Sequence, residues 1–324
     1  LMFASVSTVN ANAELVFNYT SDSTSDISGP GMYDLQGPFT FDSCGATGKF
    51  GPSQADCTSS YSSADWLVEG ENFSVEEGIQ RWTVPADDEY TFEIAAPSLH
   101  ASYNDGEGSI VKATVTLTAG EVVNIVVGQR GVGYWPVTEG NSLYGADGLG
   151  GAGGSFVYTG NVGGSGLIAA AGGGNVNCSP ASINNCTGKS VNDGEKGPIK
   201  YTNALQSAPG AGWKSTHGYL DFNYGSTGHT QGGQHFEGGC DASCNFAKTD
   251  TVVGGFGGGG GTGNDNIGGS GGYTGGSNAK NNGYDNIGYP GGSSPLSATR
   301  SSSLSFQGAN SGTGYVKVSR TGGS

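Results

Sequence analysis

The chain has 324 residues, 63 of them glycine, and a formal net charge of −15 from 28 acidic and 13 basic side chains. It carries no cluster of Lys and Arg of the kind that neutralises a phosphate backbone or an anionic membrane surface, which sets nucleic acid and lipid headgroups aside as partners. Its 15 Tyr, 13 Phe and 4 Trp, against only 13% charged residues, supply the packing anchors that disordered chains lack.

In chain order, residues 1–30 read as an extended arm. Val6, Val9, Leu15, Val16 and Phe17 suit a strand, while Ala11 and Ala13 also fit the end of a signal peptide. No run reaches the roughly 18 apolar residues of a membrane helix, so no direct membrane insertion is expected. Strand signals fill residues 31–131. "GIQRWTVP" (78–85) alternates, "ADDE" makes a polar turn, and "YTFEIAA" (90–96) alternates again, which predicts a hairpin. "SIVKATVTLTAGEVVNIVVGQRG" (109–131) repeats the scheme around Ala119 and Gly120. Helical spacing is nearly absent. The fold class expected is all-β, a jelly roll or β-sandwich with little α-helix.

Residues 132–311 are glycine-rich, with a polar, cysteine-bearing insertion at about 175–250. A closing strand, "GTGYVKVSR" (312–320), begins the last segment, 312–324, and is expected to return to the sandwich. The glycine-rich part then reads as an insertion into the β-fold. A flexible linker would have nothing to pack. Here the glycine runs are interleaved with Phe156, Tyr158, Leu167, Ile168, Phe256, Ile267 and Tyr273. Helices of the polyproline-II type turn once in three residues and make no internal hydrogen bonds. Packed side by side they need glycine on their contacting faces, and their backbone groups then pair between helices. The region is therefore expected to be an ordered bundle of polyglycine-II helices.

Six cysteines lie in three local pairs, Cys44 with Cys57, Cys178 with Cys186 and Cys240 with Cys244. Formally they allow fifteen connectivities, and proximity alone favours this one. N-x-[ST] sequons stand at Asn18, Asn72, Asn177 and Asn185. Together with paired cysteines and low charge, they point to a secreted eukaryotic glycoprotein whose partners include N-linked glycans.

Several segments occur in a recognisable order: "CGATGKFGPSQADC" (44–57), "VEEGIQRWTVPADDEYTFEI" (75–94), "LTAGEVVNIVVGQRG" (117–131), "LIAAAGGG" (167–174) and "VGGFGGGGG" (253–261). In combination they resemble the extracellular glycine-rich module of the anaplastic lymphoma kinase and leukocyte receptor tyrosine kinase family, over about residues 34–320. The resemblance implies a tumour-necrosis-factor-like sandwich joined to a hexagonal array of polyglycine helices, with a disulfide at Cys44–Cys57. The cysteine-rich, membrane-proximal segment through which those receptors bind ligand has no counterpart here, nor does the kinase.

Other chemistry is weakly signalled. Gly148, Gly150 and Gly153 match the dinucleotide fingerprint in spacing, but a strand-like "SFVYTG" follows where a helix is required. His229, His235, Glu237, Cys240 and Cys244 fit no standard zinc spacing, and Asn264, Asp265 and Asn266 lack the regular acidic pattern of a calcium loop. Asp87, Asp88 and Glu89 read as a solvated turn. His100 and His217 have no motif around them, and no G-x-S-x-G elbow occurs. Trp82, Trp135 and Trp213 read as buried anchors rather than sugar platforms. The expectation is a non-enzyme with no cofactor or metal. Its leading function is a secreted structural protein that self-associates, as the subunit of an extracellular fibre or cell-surface appendage, with the arm 1–17 as donor strand. The alternative is a ligand-binding, receptor-like ectodomain.

Overall fold

The computed structural model describes residues 33–35, 37–99, 106–133, 149–175, 209–214, 253–261, 267–276, 278–281 and 285–321. The arm 1–30 and nearly all of the cysteine-bearing insertion lie outside them. In chain order the strands are β1 (Phe39–Phe41), β2 (Phe73–Glu76), β3 (Ile79–Thr83), β4 (Asp88–Ala95), β5 (Gly108–Leu117), β6 (Val122–Val126), β7 (Ser155–Thr159), β8 (Leu167–Ala171), β9 (Asn278–Asn281), β10 (Asp285–Gly288), β11 (Ser303–Asn310) and β12 (Tyr315–Arg320). Two five-stranded antiparallel sheets form, in the orders β1-β12-β4-β5-β11 and β2-β3-β6-β7-β8, and β9 pairs with β10 as a ribbon.

Period-2 alternation builds the core. From the first sheet Tyr90, Phe92, Ile94, Val111, Ala113 and Val115 meet Trp82, Val123, Ile125 and Val157 of the second. Trp82 packs edge-on against Tyr90 and Phe92 at 5.7 and 6.4 Å. Burying each large side chain contributes on the order of 2–3 kcal/mol. The closing strand β12 does return, slotting between β1 and β4. Strands β7, β8 and β11 fall within the 132–311 span yet complete the two sheets, so glycine-rich segments and sandwich strands interleave in sequence.

Neither expected hairpin forms. β3 lies in the second sheet and β4 in the first; β5 lies in the first and β6 in the second. Both connections are arches that carry the chain from one sheet to the other. They stack side by side: Val84 N–H donates to Glu121 O at 2.9 Å and Gly120 N–H to Val84 O at 2.8 Å. Gly120 takes φ +80°, which a glycine adopts without a Cβ penalty. Alternation reports which face of a strand is buried, not which strand is its neighbour, so the same pattern fits a hairpin and an arch.

One helix forms among the described residues outside the 3-10 turn at Leu296–Ala298: α1 (Gln54–Ser60). Ser53 caps it, and Asp56 reaches back to the Ser53 N–H in a capping box. The helix carries Cys57, which is disulfide-bonded to Cys44 across 4.9 Å between Cα atoms.

The glycine segments lie against the outer face of the second sheet. Val126, Phe156, Tyr158, Leu167 and Ala170 of that face pack with Trp213, Phe256 and Tyr273 from the glycine segments. This accounts for the unbroken burial of β7 and β8, whose residues are covered on both faces. Backbone bonds tie the segments together in steps of three. Gly151 and Gly154 N–H donate to Gly260 and Gly257 O; Gly268 and Gly271 N–H donate to Leu149 and Ala152 O. Ser270 and Tyr273 N–H donate to Tyr289 and Gly292 O; Gly210 and Trp213 N–H donate to Gly276 and Tyr273 O. A β ladder would repeat every second residue on each strand. Segment 267–276 is bonded to five others: 149–154, 172–175, 209–213, 253–260 and 288–292. The approach leaves no space for side chains. A Cβ on Gly153 would sit 1.7 Å from Phe256 O, and one on Gly271 2.0 Å from Gly257 O. Asn175 pins three segments, its Nδ2 donating to Gly268 O at 2.8 Å and Ser270 Oγ at 3.0 Å, with Tyr289 O at 3.4 Å.

Candidate interaction surfaces

A row of polar residues crosses the outer face of the second sheet where the glycine segments do not cover it. Cross-strand register sets Ser74 of β2 opposite Arg81 of β3, Arg81 opposite Asn124 of β6, and Asn124 opposite Tyr158 of β7. The row runs into a cleft of about 470 Å³, lined also by Glu71, Thr83, Val122 and Asn161. Arg81 pairs with Glu76 and remains partly exposed. It also faces Tyr158, whose hydroxyl burial pushes up and the Arg81 charge draws partly back. Val122 is 43% exposed at the rim. A guanidinium, two amides and an exposed valine suit contact with a protein surface.

A second surface is the edge of the first sheet. β11 pairs with β5 on one side and, among the described residues, with no strand on the other. The other sheet edges are differently made. β8 is bordered by residues 294–301, with Ser294 N–H donating to Ala170 O and Arg300 N–H to Leu167 O. β2 meets α1, where Gln54 Oε1 accepts from Val75 N–H, and β1 has only three residues. In β11 no residue is charged, and Phe306 is 47% exposed.

The residues singled out in the sequence have different places in the structure. Cys44 and Cys57 are joined. Trp82 and Trp213 are buried at 0% and 2% exposure, as anchors. Asp87 and Asp88 do more than cap a solvated turn: Asp87 Oδ1 accepts from Ala119 N–H at 2.7 Å, joining the two arches, and Asp88 pairs with Arg320 of β12. Gly150 and Gly153 lie in the hydrogen-bonded glycine segments, and β7 follows them. Asn72 is buried; its Oδ1 accepts from Val68 N–H at 2.7 Å and its Nδ2, the atom a glycan would occupy, donates to Trp66 O. It works as a loop clasp, a role that the sequon pattern does not signal. Asn18, Asn177, Asn185, Cys178, Cys186, Cys240, Cys244, Trp135, Gly148, His100, His217, His229, His235, Glu237, Asn264, Asp265 and Asn266 lie outside the described residues. The cleft itself was missed, because its row is formed by cross-strand register and not by spacing along the chain.

No family model matches the chain. A stretch of 106 residues is 32% identical to the mouse leukocyte tyrosine kinase receptor, covering 32% of this chain and 12% of the receptor. The stretch relates to the extracellular part of that receptor and leaves its kinase domain uncovered. It is shorter than the 34–320 span over which the motifs are distributed. Among the described residues no helix is long and apolar enough to cross a membrane. The similarity and the sandwich fit an extracellular protein.

Proposed function

We propose that this chain is a non-enzymatic extracellular recognition module of the receptor-ectodomain type. Its sandwich and glycine layer form one platform, and the cleft around Arg81, Asn124 and Val122 receives a protein partner. The observation that carries this reading is the identity of 32% over 106 residues to a receptor's extracellular part. The glycine layer is of the polyglycine-II type, supported by its three-residue hydrogen-bond step. Secretion, glycans at Asn18, Asn177 and Asn185, and disulfides Cys178–Cys186 and Cys240–Cys244 complete the proposal. A platform stiffened by backbone bonds suits recognition because little ordering entropy is left to lose on binding.

The test mixes the oxidised, glycosylated chain with proteins secreted from the same source and weighs the complexes by mass photometry. The expected result is a discrete complex of fixed stoichiometry that Arg81→Glu and Val122→Asp each weaken by about tenfold or more. Association only with further copies of itself, or binding indifferent to both substitutions, contradicts the reading. A second reading, self-association, is favoured by one observation, the edge of β11 that no strand among the described residues pairs.

A further inference from the structure

We infer that β11 is the acceptor edge for residues 1–17 of a second copy of this chain, which would join subunits head to tail. The inference rests on the self-association reading. Strand β11 is eight residues long, uncharged and, among the described residues, open on one side, whereas soluble proteins normally guard such an edge with charge, proline or a cover. Among the described residues its guard is a register shift between Phe306 and Gly308, where Gly308 takes φ +135°. The stretch 303–306 before that shift is regular against β5. Leu304 packs against the sandwich core, and Phe306, two residues on and therefore on the same face, is left 47% exposed. Among the described residues the sheet thus stops one strand short of covering its own apolar row. A sixth strand would supply the missing inward-facing side chains as well as the backbone partners.

The chain carries a segment of matching chemistry. Residues 1–17 contain Val6, Val9, Leu15, Val16 and Phe17 and a single charged residue, Glu14. The arm joins the fold at the far edge of the same sheet. Tyr33 stacks on Trp66 at 5.3 Å, and Trp66 meets Phe39 of β1 at 4.9 Å. β1 and β11 are the two outermost strands of that sheet, separated by four strand spacings, about 19 Å. To reach β11 of its own copy the arm would have to cross the sheet's outer face, over Glu93, Lys112, Thr114 and Lys317. A neighbouring copy presents β11 without that crossing. Donor and acceptor at opposite edges make a heterologous contact, which propagates instead of closing as a two-fold dimer.

The experiment follows mass against concentration by light scattering for three chains: the full chain, the chain lacking residues 1–17, and Phe306→Lys. Because Phe306 is half exposed, the lysine keeps the fold, and an unchanged thermal unfolding midpoint verifies this; Phe306→Ala is the milder second variant. The expected result is assembly by the full chain and none by the deleted chain or Phe306→Lys. A labelled peptide of residues 1–17 should bind the deleted chain saturably at one to one and bind Phe306→Lys at least about tenfold more weakly. A full chain that stays monomeric throughout overturns the inference together with the self-association reading. Assembly that survives both changes, or that the deletion stops but Phe306→Lys does not, leaves self-association standing and removes it from this edge.

Discussion

Trp82 and Gly153 both sit at fully enclosed positions, and they are there for opposite reasons. Trp82 fills the gap between two sheets, touching Tyr90 and Phe92; the sandwich is held by the volume of its side chains. Gly153 is admitted because any Cβ would collide with Phe256 O; the glycine layer is held by backbone groups that reach one another only where side chains are missing. Apolar burial drives the first, and pairing of otherwise buried polar groups enables the second. The two regions share the second sheet, so β6, β7 and β8 must satisfy both rules, one on each face.

Substitutions of opposite sense should therefore hurt opposite regions. Trp82→Ala empties the sandwich and is expected to cost about 4 kcal/mol, read as a lower urea midpoint. Gly271→Ala adds one methyl group to the glycine layer and is expected to cost about 3 kcal/mol. Gly160→Ala, where a Cβ meets nothing within 4 Å and φ is +69°, should cost only about 1–2 kcal/mol from the backbone conformation. Equal losses at Gly271 and Gly160 would break the distinction between close approach and mere turn geometry. Removing the Cys44–Cys57 bond with paired serines, across a separation of 13 residues, should lower stability by about 2–3 kcal/mol.

High pH tests both regions together. Burial raises the hydroxyl pKa of Tyr33 and Tyr61 in the sandwich and of Tyr158 beneath the glycine layer. A group raised in the folded state contributes stability below its unfolded value, and that contribution is lost as pH rises. The unfolding midpoint should thus fall progressively above about pH 10, with the tyrosinate absorbance of these three residues appearing only as the chain unfolds. The smallest effect is local. Ser53→Ala removes the cap of α1 and should cost about 1 kcal/mol. At Asp56 the hydrogen bonds from Ser53 hold the carboxyl below its ordinary value of 3.8. The depressed value means this capping is present at neutral pH and lost as the solution is acidified through it.

Much of this contrast was legible in the sequence. The alternation in 78–85 and 90–96 marked the strands and their inner residues, and the aromatics between glycine runs argued for order over linker. Register was not legible. The arches at residues 84–87 and 118–121 read as hairpins because alternation names a face and not a partner. α1 was missed because seven residues are too few for a helical period, although Ser53 and Asp56 carry its capping signal. The sequon at Asn72 marked an amide that tertiary contacts turn inward, and the Ser74, Arg81 and Asn124 row exists only once three strands are aligned.

Amide hydrogen exchange of the intact chain tests the central claim most directly. If the glycine-rich segments are an ordered layer, the N–H groups of Gly151, Gly154, Gly255 and Gly271 should exchange as slowly as those of β4 and β5, and Gly271→Ala should release them while β4 and β5 stay protected. Exchange at those glycines as fast as in an unstructured chain would mean that the segments are linkers, and the account of a platform held by missing side chains would fail.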